Sequence, residues 1–100
     1  MGVSKEQGEA GWVVRMEGEL GVAEAPALKQ IVLEALEEAA AGRVVLEMGA
    51  VESLDICCLQ VLLAASRSAG GRLGFGEASE ACRETIELAG QEAAVAAAAP

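Results

Sequence analysis

The chain has 100 residues, enough for a single domain with a modest core. Sixteen acidic residues against seven basic ones give a net charge of −9, which disfavours binding to nucleic acid and to anionic membrane surfaces. Trp12 and Phe75 are the only aromatic residues, so an aliphatic core is expected, with few platforms for stacking nucleic-acid bases. No apolar run approaches the roughly 20 residues that span a bilayer, and the first residues lack the apolar centre of a signal peptide. These features predict a cytoplasmic protein.

Sequence patterns in the first half of the chain predict two strands and a helix. Residues 1–10 are predicted to form a polar lead. Residues 11–18 alternate, with Trp12, Val14 and Met16 on one face, which is typical of a strand. Residues 19–22 are predicted to add a short second strand. The following helix begins near Pro26, a residue that suits a first helical turn. Its apolar positions recur at helical spacing: Leu28, Ile31, Val32, Ala35, Leu36 and Ala39.

The second half alternates strands and helices. Residues 43–48 predict an inner strand, residues 56–68 a second helix and residues 72–76 a further strand. Ser79 is expected to cap a third helix that Gly90 closes. The order β-β-α-β-α-β-α predicts an α/β fold, with a mixed sheet of about four strands covered by three or more helices. The domain is expected to span residues 11–92, and the Ala-rich residues 93–100 are expected to fray.

The junction before the second helix is the most informative part of the sequence. Asp55 follows a strand and precedes an almost wholly apolar helix, where its carboxylate can cap the first free N–H groups. Ile56, Leu59, Leu62 and Leu63 are predicted to face the core. The outer face, which is unusually apolar for a solvent-exposed surface, then carries Cys57, Gln60, Val61, Ala64 and Arg67. Such a face indicates a protein interface, unless a neighbouring loop or the C-terminal tail covers it.

The sequence contains few side chains that are suited to catalysis. Cys57, Cys58 and Cys82 occur without any histidine, and adjacent cysteines do not have the usual spacing of zinc ligands. We expect reduced, mostly buried thiols, the alternative being a redox switch at Cys57, whose position near a helix N-terminus could lower the thiol pKa. With no histidine, tyrosine or convergent polar cluster, we predict neither enzymatic activity nor a cofactor or metal.

Four blocks of the sequence resemble the STAS family, the sulfate transporter and anti-sigma factor antagonist domain. Residues 18–20 with Leu28 and Lys29 resemble its strand-to-helix entry, and residues 43–48 resemble its central strand. Residues 54–59 are similar to the motif hydrophobic-Asp-Ser-Ser/Ala-Gly-Leu, and residues 87–90 resemble the end of a later helix. The resemblance implies a STAS-like fold of the small, stand-alone bacterial type.

The chain departs from the family motif where regulation would act. In sporulation-type antagonists, the serine before the motif glycine is phosphorylated by an anti-sigma kinase, which releases the partner. In this chain Cys57 occupies that position, Cys58 replaces the glycine and Ile56 replaces the other serine. The resemblance therefore predicts no phosphorylation at the motif.

Together these observations predict a non-enzymatic regulatory module that docks a signalling protein. The resemblance implies an anti-sigma factor or a histidine-kinase-like protein as the partner. The predicted contact residues are Leu54, Asp55, Ile56, Cys57, Cys58, Gln60, Val61 and Ala64. Two alternatives remain open: a sensor of thiol redox state or of a small ligand, and a structural subunit that forms a homodimer through its apolar helix.

Overall fold

A computed structural model describes residues 2–8 and 11–98. These residues form four strands and four helices, which confirms the predicted α/β fold with a mixed sheet. The strands are β1 (Gly2–Gly8), β2 (Gly11–Leu20), β3 (Arg43–Leu54) and β4 (Leu73–Ala78). The helices are α1 (Ala25–Glu38), α2 (Ile56–Ser68), α3 (Glu80–Leu88) and α4 (Glu92–Ala97), and a 3-10 turn (Val22–Glu24) precedes α1.

The sheet has the strand order β1-β2-β3-β4. β1 pairs with β2 in antiparallel fashion, whereas β2, β3 and β4 are parallel. Parallel neighbours need a crossover connection, which α1 supplies between β2 and β3 and α2 supplies between β3 and β4. Both helices therefore begin at the carboxyl ends of adjacent strands. This arrangement brings the start of α2 close to the segment that leads into α1.

The core lies between the sheet and the helices. Along β2 and β3, alternate side chains are buried, with Val14, Val44 and Leu46 fully inaccessible to solvent. Arg15 and Glu17 face the opposite side and are exposed, as the predicted alternation requires. The predicted inward face of α1 is confirmed, since its members are either buried or packed against the core.

The N-terminal part of the sheet differs from the prediction. Residues 19–22 do not form a separate strand, because β2 continues through Gly18, which has φ of 77° at a shift in register against β3. The additional strand is β1, within the expected polar lead, of which residues 1, 9 and 10 lie outside the described residues. Lys5 secures β1 to α1 through ion pairs with Glu34 and Glu38.

The C-terminal segment is also more ordered than predicted. Instead of fraying, its described part forms α4, where Ala94, Val95 and Ala98 pack against the core. The backbone N–H of Phe75 in β4 donates a hydrogen bond to the carbonyl oxygen of Ala98 at 2.8 Å. Residues 99–100 of the expected tail lie outside the described residues.

Candidate protein-docking surface

The start of α2 is fixed by Asp55. Its backbone is extended, with φ of −74° and ψ of 148°, and its Oδ1 accepts a hydrogen bond from the backbone N–H of Cys57 at 2.8 Å. The carbonyl of Asp55 accepts the first intrahelical bond, from Leu59, at 3.1 Å. This geometry satisfies one of the free donors of the first turn and places a negative charge at the positive end of the helix. The predicted capping role is confirmed.

Three hydrogen bonds organise the segment before α1 and join it to the start of α2. The backbone N–H of Asp55 donates to the carbonyl of Leu20 at 2.8 Å, and the Cys58 thiol donates to the carbonyl of Gly21 at 3.2 Å. Within the first segment, the Glu24 carboxylate accepts a bond from the Gly21 N–H at 2.9 Å. The two segments, residues 20–24 and 55–58, therefore form one continuous surface at the carboxyl ends of β2 and β3. We call this surface the tip.

The structure separates the eight predicted contact residues into two groups. Leu54 and Cys58 are buried, with 5% and 0% exposure, so they support the surface from within the core. The other six reach the surface: Asp55, Ile56, Cys57, Gln60, Val61 and Ala64, of which Val61 is half-buried. The predicted inward orientation of Ile56 is wrong, since this side chain is 48% exposed. As the first residue of α2, it lies at the tip, where no other element covers it.

A shallow groove continues from the tip between α1 and α2. It has a volume of ≈ 390 Å³, and its apolar lining includes Leu33 from α1 and Val61, Ala64 and Ala65 from α2. Leu33 is an apolar residue on the largely charged face of α1, and its side chain is 47% exposed. The predicted contact residues do not include Leu33. The signal that could have found it is a single leucine on an otherwise polar helix face.

The environment of the cysteines opposes thiolate formation. A hydrogen bond with the Asp55 side chain, followed by desolvation and the charge of that carboxylate, raises the pKa of Cys57. This environment disfavours the lowered pKa considered for a redox switch at Cys57, because the adjacent Asp55 carboxylate opposes a second negative charge. Burial raises the pKa of Cys58 to about 11, with smaller contributions from the charges of Asp55 and Glu24. Burial also raises the pKa of Cys82.

The part of the chain that the structure describes contains neither a metal-binding cluster nor a helix able to cross a membrane. No cluster of three or more cysteine or carboxylate side chains is arranged to hold a metal ion. None of the helices in that part is both long and apolar enough to cross a membrane.

Comparison with known families identifies the fold. The family model described as "Mlab, STAS domain" matches residues 3–96. The chain belongs to the STAS domain family. The matched region includes most of β1 and most of α4, the two elements that the sequence patterns did not predict. No curated protein sequence matches this STAS domain.

Two solved structures share this STAS fold. An anti-sigma factor antagonist from Mycobacterium paratuberculosis has a TM-score of 0.77 and 25% sequence identity, with 97% of this chain and 92% of that chain covered. The anti-sigma factor antagonist SpoIIAA in its unphosphorylated form has a TM-score of 0.73 and 17% identity, with 90% and 82% coverage. The second likeness concerns the fold alone.

The motif loop of this STAS domain has no hydroxyl group where the family resemblance places the phosphorylated serine. Cys57 occupies that position and is exposed beside the Asp55 cap. The nearest hydroxyl in the sequence belongs to Ser53, which is exposed at the end of β3. The Thr85 hydroxyl of α3 contacts the residue before Asp55, since it donates a hydrogen bond to the Leu54 carbonyl at 2.9 Å.

Proposed function

We propose that this STAS domain is a non-enzymatic, cytoplasmic regulatory module that docks a signalling protein without phosphorylation of its motif loop. The docking surface consists of the outer side of α2 together with the adjoining groove. An anti-sigma factor or a histidine-kinase-like protein is the proposed partner. The family membership and the similarity to an anti-sigma factor antagonist at 25% identity support this class of partner.

The distribution of exposed apolar side chains carries the proposal. Four large hydrophobic residues are exposed within the described residues: Val22, Leu33, Ile56 and Leu88. Val22 and Ile56 lie at the tip and Leu33 lies in the groove, whereas Leu88 lies on α3, whose Thr85 contacts the Leu54 carbonyl. A cluster of apolar side chains left in water is typical of a surface that another protein covers.

The side chains at the motif support the proposed independence from phosphorylation. Neither Ile56 nor Cys57 has a hydroxyl group that could accept a phosphoryl group in the usual way. Asp55 is already engaged by the helix start, so its main role is structural. The docking surface is therefore proposed to be permanently available.

The two alternatives have less support. The raised pKa values of Cys57 and Cys58 disfavour a thiol sensor, because the thiolate is the reactive form. A homodimer would bring together two copies that each carry a net charge of −9, which repel each other. The oligomeric state in solution tests the second alternative directly.

The test introduces charge into the proposed surface. The partner is first recovered by co-purification from the native cell and identified by mass spectrometry. Val61→Lys and Ala64→Glu should then each weaken its binding by at least about tenfold, because a charge is forced into an apolar contact. Ala93→Glu is the matched control, since Ala93 is exposed on α4, away from the groove. Affinity is measured by isothermal titration calorimetry, and circular dichroism verifies that each variant is folded.

Two results would reject the proposal. One is equal affinity of the Ala64→Glu and Ala93→Glu variants for the partner, which would remove α2 from the interface. The other is stoichiometric phosphorylation of Ser53, found by phosphopeptide mapping after incubation with the partner and ATP, accompanied by dissociation of the complex. That second result would show that the loop is a switch after all.

A further inference from the structure

We infer that the tip of this domain inserts into an apolar socket that is rimmed by lysine or arginine side chains on the partner. The inserting side chains are Val22, before α1, and Ile56, the first residue of α2. The inference rests on the proposed function and adds the chemistry of the partner's surface. It also adds Val22, which the motif resemblance does not include.

The apolar part of the inference comes from exposure on a rigid support. Val22 is 63% exposed and Ile56 is 48% exposed. Each lies within two residues of a hydrogen bond that joins the segment before α1 to the start of α2, from Asp55 to Leu20 or from Cys58 to Gly21. Because the support is held by these bonds, the two side chains project without needing to be ordered when the partner binds, which reduces the entropic cost of association.

The charge of the surroundings gives the partner's complementary chemistry. No lysine or arginine occurs in residues 16–28 or in residues 44–66, the two stretches that lead into and out of the tip. Four carboxylates lie in the tip or within two residues of the ends of β2 and β3 that form it: Glu19, Glu24, Glu52 and Asp55. An apolar contact flanked by carboxylates is matched by an apolar socket with a basic rim, because like charges brought together at an interface are strongly unfavourable.

The same charges make a second copy of the chain a poor occupant. Two tips in contact would bring the carboxylates of both copies together, with no basic residue in either stretch to compensate for them. A cationic partner instead gains from long-range attraction, which accelerates encounter at low ionic strength. The proposed complex is therefore expected to weaken as salt concentration rises.

The experiment uses the co-purified protein whose binding Val61→Lys weakens, so that the probe is defined by the proposed surface. Val22→Ser and Ile56→Ser should each weaken its affinity by about tenfold, through the loss of apolar burial. The matched control is Val13→Ser, because Val13 lies near the start of β2, at the opposite end of that strand from the tip, and it should stay within about twofold of wild type.

A charge reversal tests the basic rim separately. Glu52→Lys should weaken binding by about fivefold at low ionic strength, and the difference should shrink as salt screens it. Glu37→Lys is the control, since it alters the net charge equally at an exposed position in the last turn of α1, at the other end of that helix from the tip. Both pairs are compared by calorimetry at two salt concentrations, after thermal melts have shown that the variants are folded.

The outcomes separate this inference from the proposed function. If Val61→Lys weakens binding but Val22→Ser and Ile56→Ser behave like Val13→Ser, the tip inference is wrong and the docking surface on α2 is retained. If Glu52→Lys behaves like Glu37→Lys, the basic rim is wrong and the inference is overturned. A wild-type dimer in sedimentation that Val22→Ser dissociates would show that a second copy occupies the tip. A wild-type chain that retains no partner overturns both proposals.

Discussion

Replacing Asp55 tests two roles of its carboxylate, which caps the start of α2 and raises the pKa of the Cys57 thiol. Asp55→Ala removes the acceptor of the 2.8 Å bond from the Cys57 N–H and leaves that donor to water. Losing an N-cap acceptor costs about 1 kcal/mol of stability. Asp55 is exposed, so the substitution creates no buried cavity that would enlarge this cost. In a domain of this size, 1 kcal/mol corresponds to a decrease in Tm of about 4–8 °C.

Asp55→Asn separates the cap from the charge. The asparagine oxygen can still accept the Cys57 N–H, so most of the stability should be retained, apart from a few tenths of a kcal/mol from the helix dipole. The charge that raises the pKa of Cys57 is gone, however, so the thiolate fraction at pH 8 should rise. Cys58 and Cys82 are fully inaccessible, and alkylation of the native protein therefore reports on Cys57.

The assays are urea unfolding followed by circular dichroism and the rate of iodoacetamide labelling followed by mass spectrometry. The expected pattern is a stable Asp55→Asn variant that is labelled faster than wild type, and a destabilised Asp55→Ala variant. Equal destabilisation of the two variants would refute the capping argument. An unchanged labelling rate for Asp55→Asn would refute the electrostatic argument and leave the cap intact.

Two further predictions concern the core and the sheet. In the folded chain the pKa of Cys58 is about 11 against an ordinary value of 9.0, so unfolded chains lose this proton first and stability should fall as pH rises from about 9 to about 11. Urea unfolding of Cys58→Ala should lack much of that alkaline loss, although the variant is less stable at pH 7. At Gly11, φ is 145° and a Cβ atom would collide with the Arg43 carbonyl oxygen, so Gly11→Ala should cost about 1–3 kcal/mol. Gly49→Ala, whose Cβ would make only ordinary contacts with Glu77, should cost less in the same unfolding assay.

Where apolar periodicity was strong, the sequence was sufficient to predict the elements. α2 has the predicted bounds, and the cap residues Asp55 and Ser79 lie where their side chains were expected to act. Gly90, with φ of 67°, ends α3 as predicted. These features depend on local chemistry, namely side-chain acceptors for free N–H groups and a residue that tolerates a left-handed backbone.

The missed elements depend on contacts between residues distant in sequence. β1 has one large apolar residue, Val3, and is supported by pairing with β2 and by the ion pairs of Lys5. Gly18 suggested the end of a strand, but in the structure it accommodates an irregularity within a longer strand. α4 is Ala-rich and depends on packing against the core, which composition could not predict.

Only part of the candidate surface could be predicted, because some of its residues are brought together only by contacts between elements distant in sequence. Helical spacing correctly separated Leu59 and Leu62 from Gln60 and Ala64, because those turns lie over the sheet. The spacing failed for Ile56, where the helix begins at the margin of the core and an apolar position is left uncovered. Val22 and Leu33 belong to other elements, so only the tertiary arrangement brings them to the same surface.

The chemistry of the tip indicates how the proposed docking would be controlled. A serine at position 57 could gain a phosphate carrying nearly two negative charges, whereas cysteine keeps the charge of the loop constant. The negative charge near the tip is instead encoded by glutamate and aspartate side chains, which need no kinase. Asp55 also raises the pKa of Cys57, which keeps that thiol in its neutral, less reactive form. Under the proposed function, with neither modification acting at this loop, control of the complex falls to the amount of this chain and to the state of its partner.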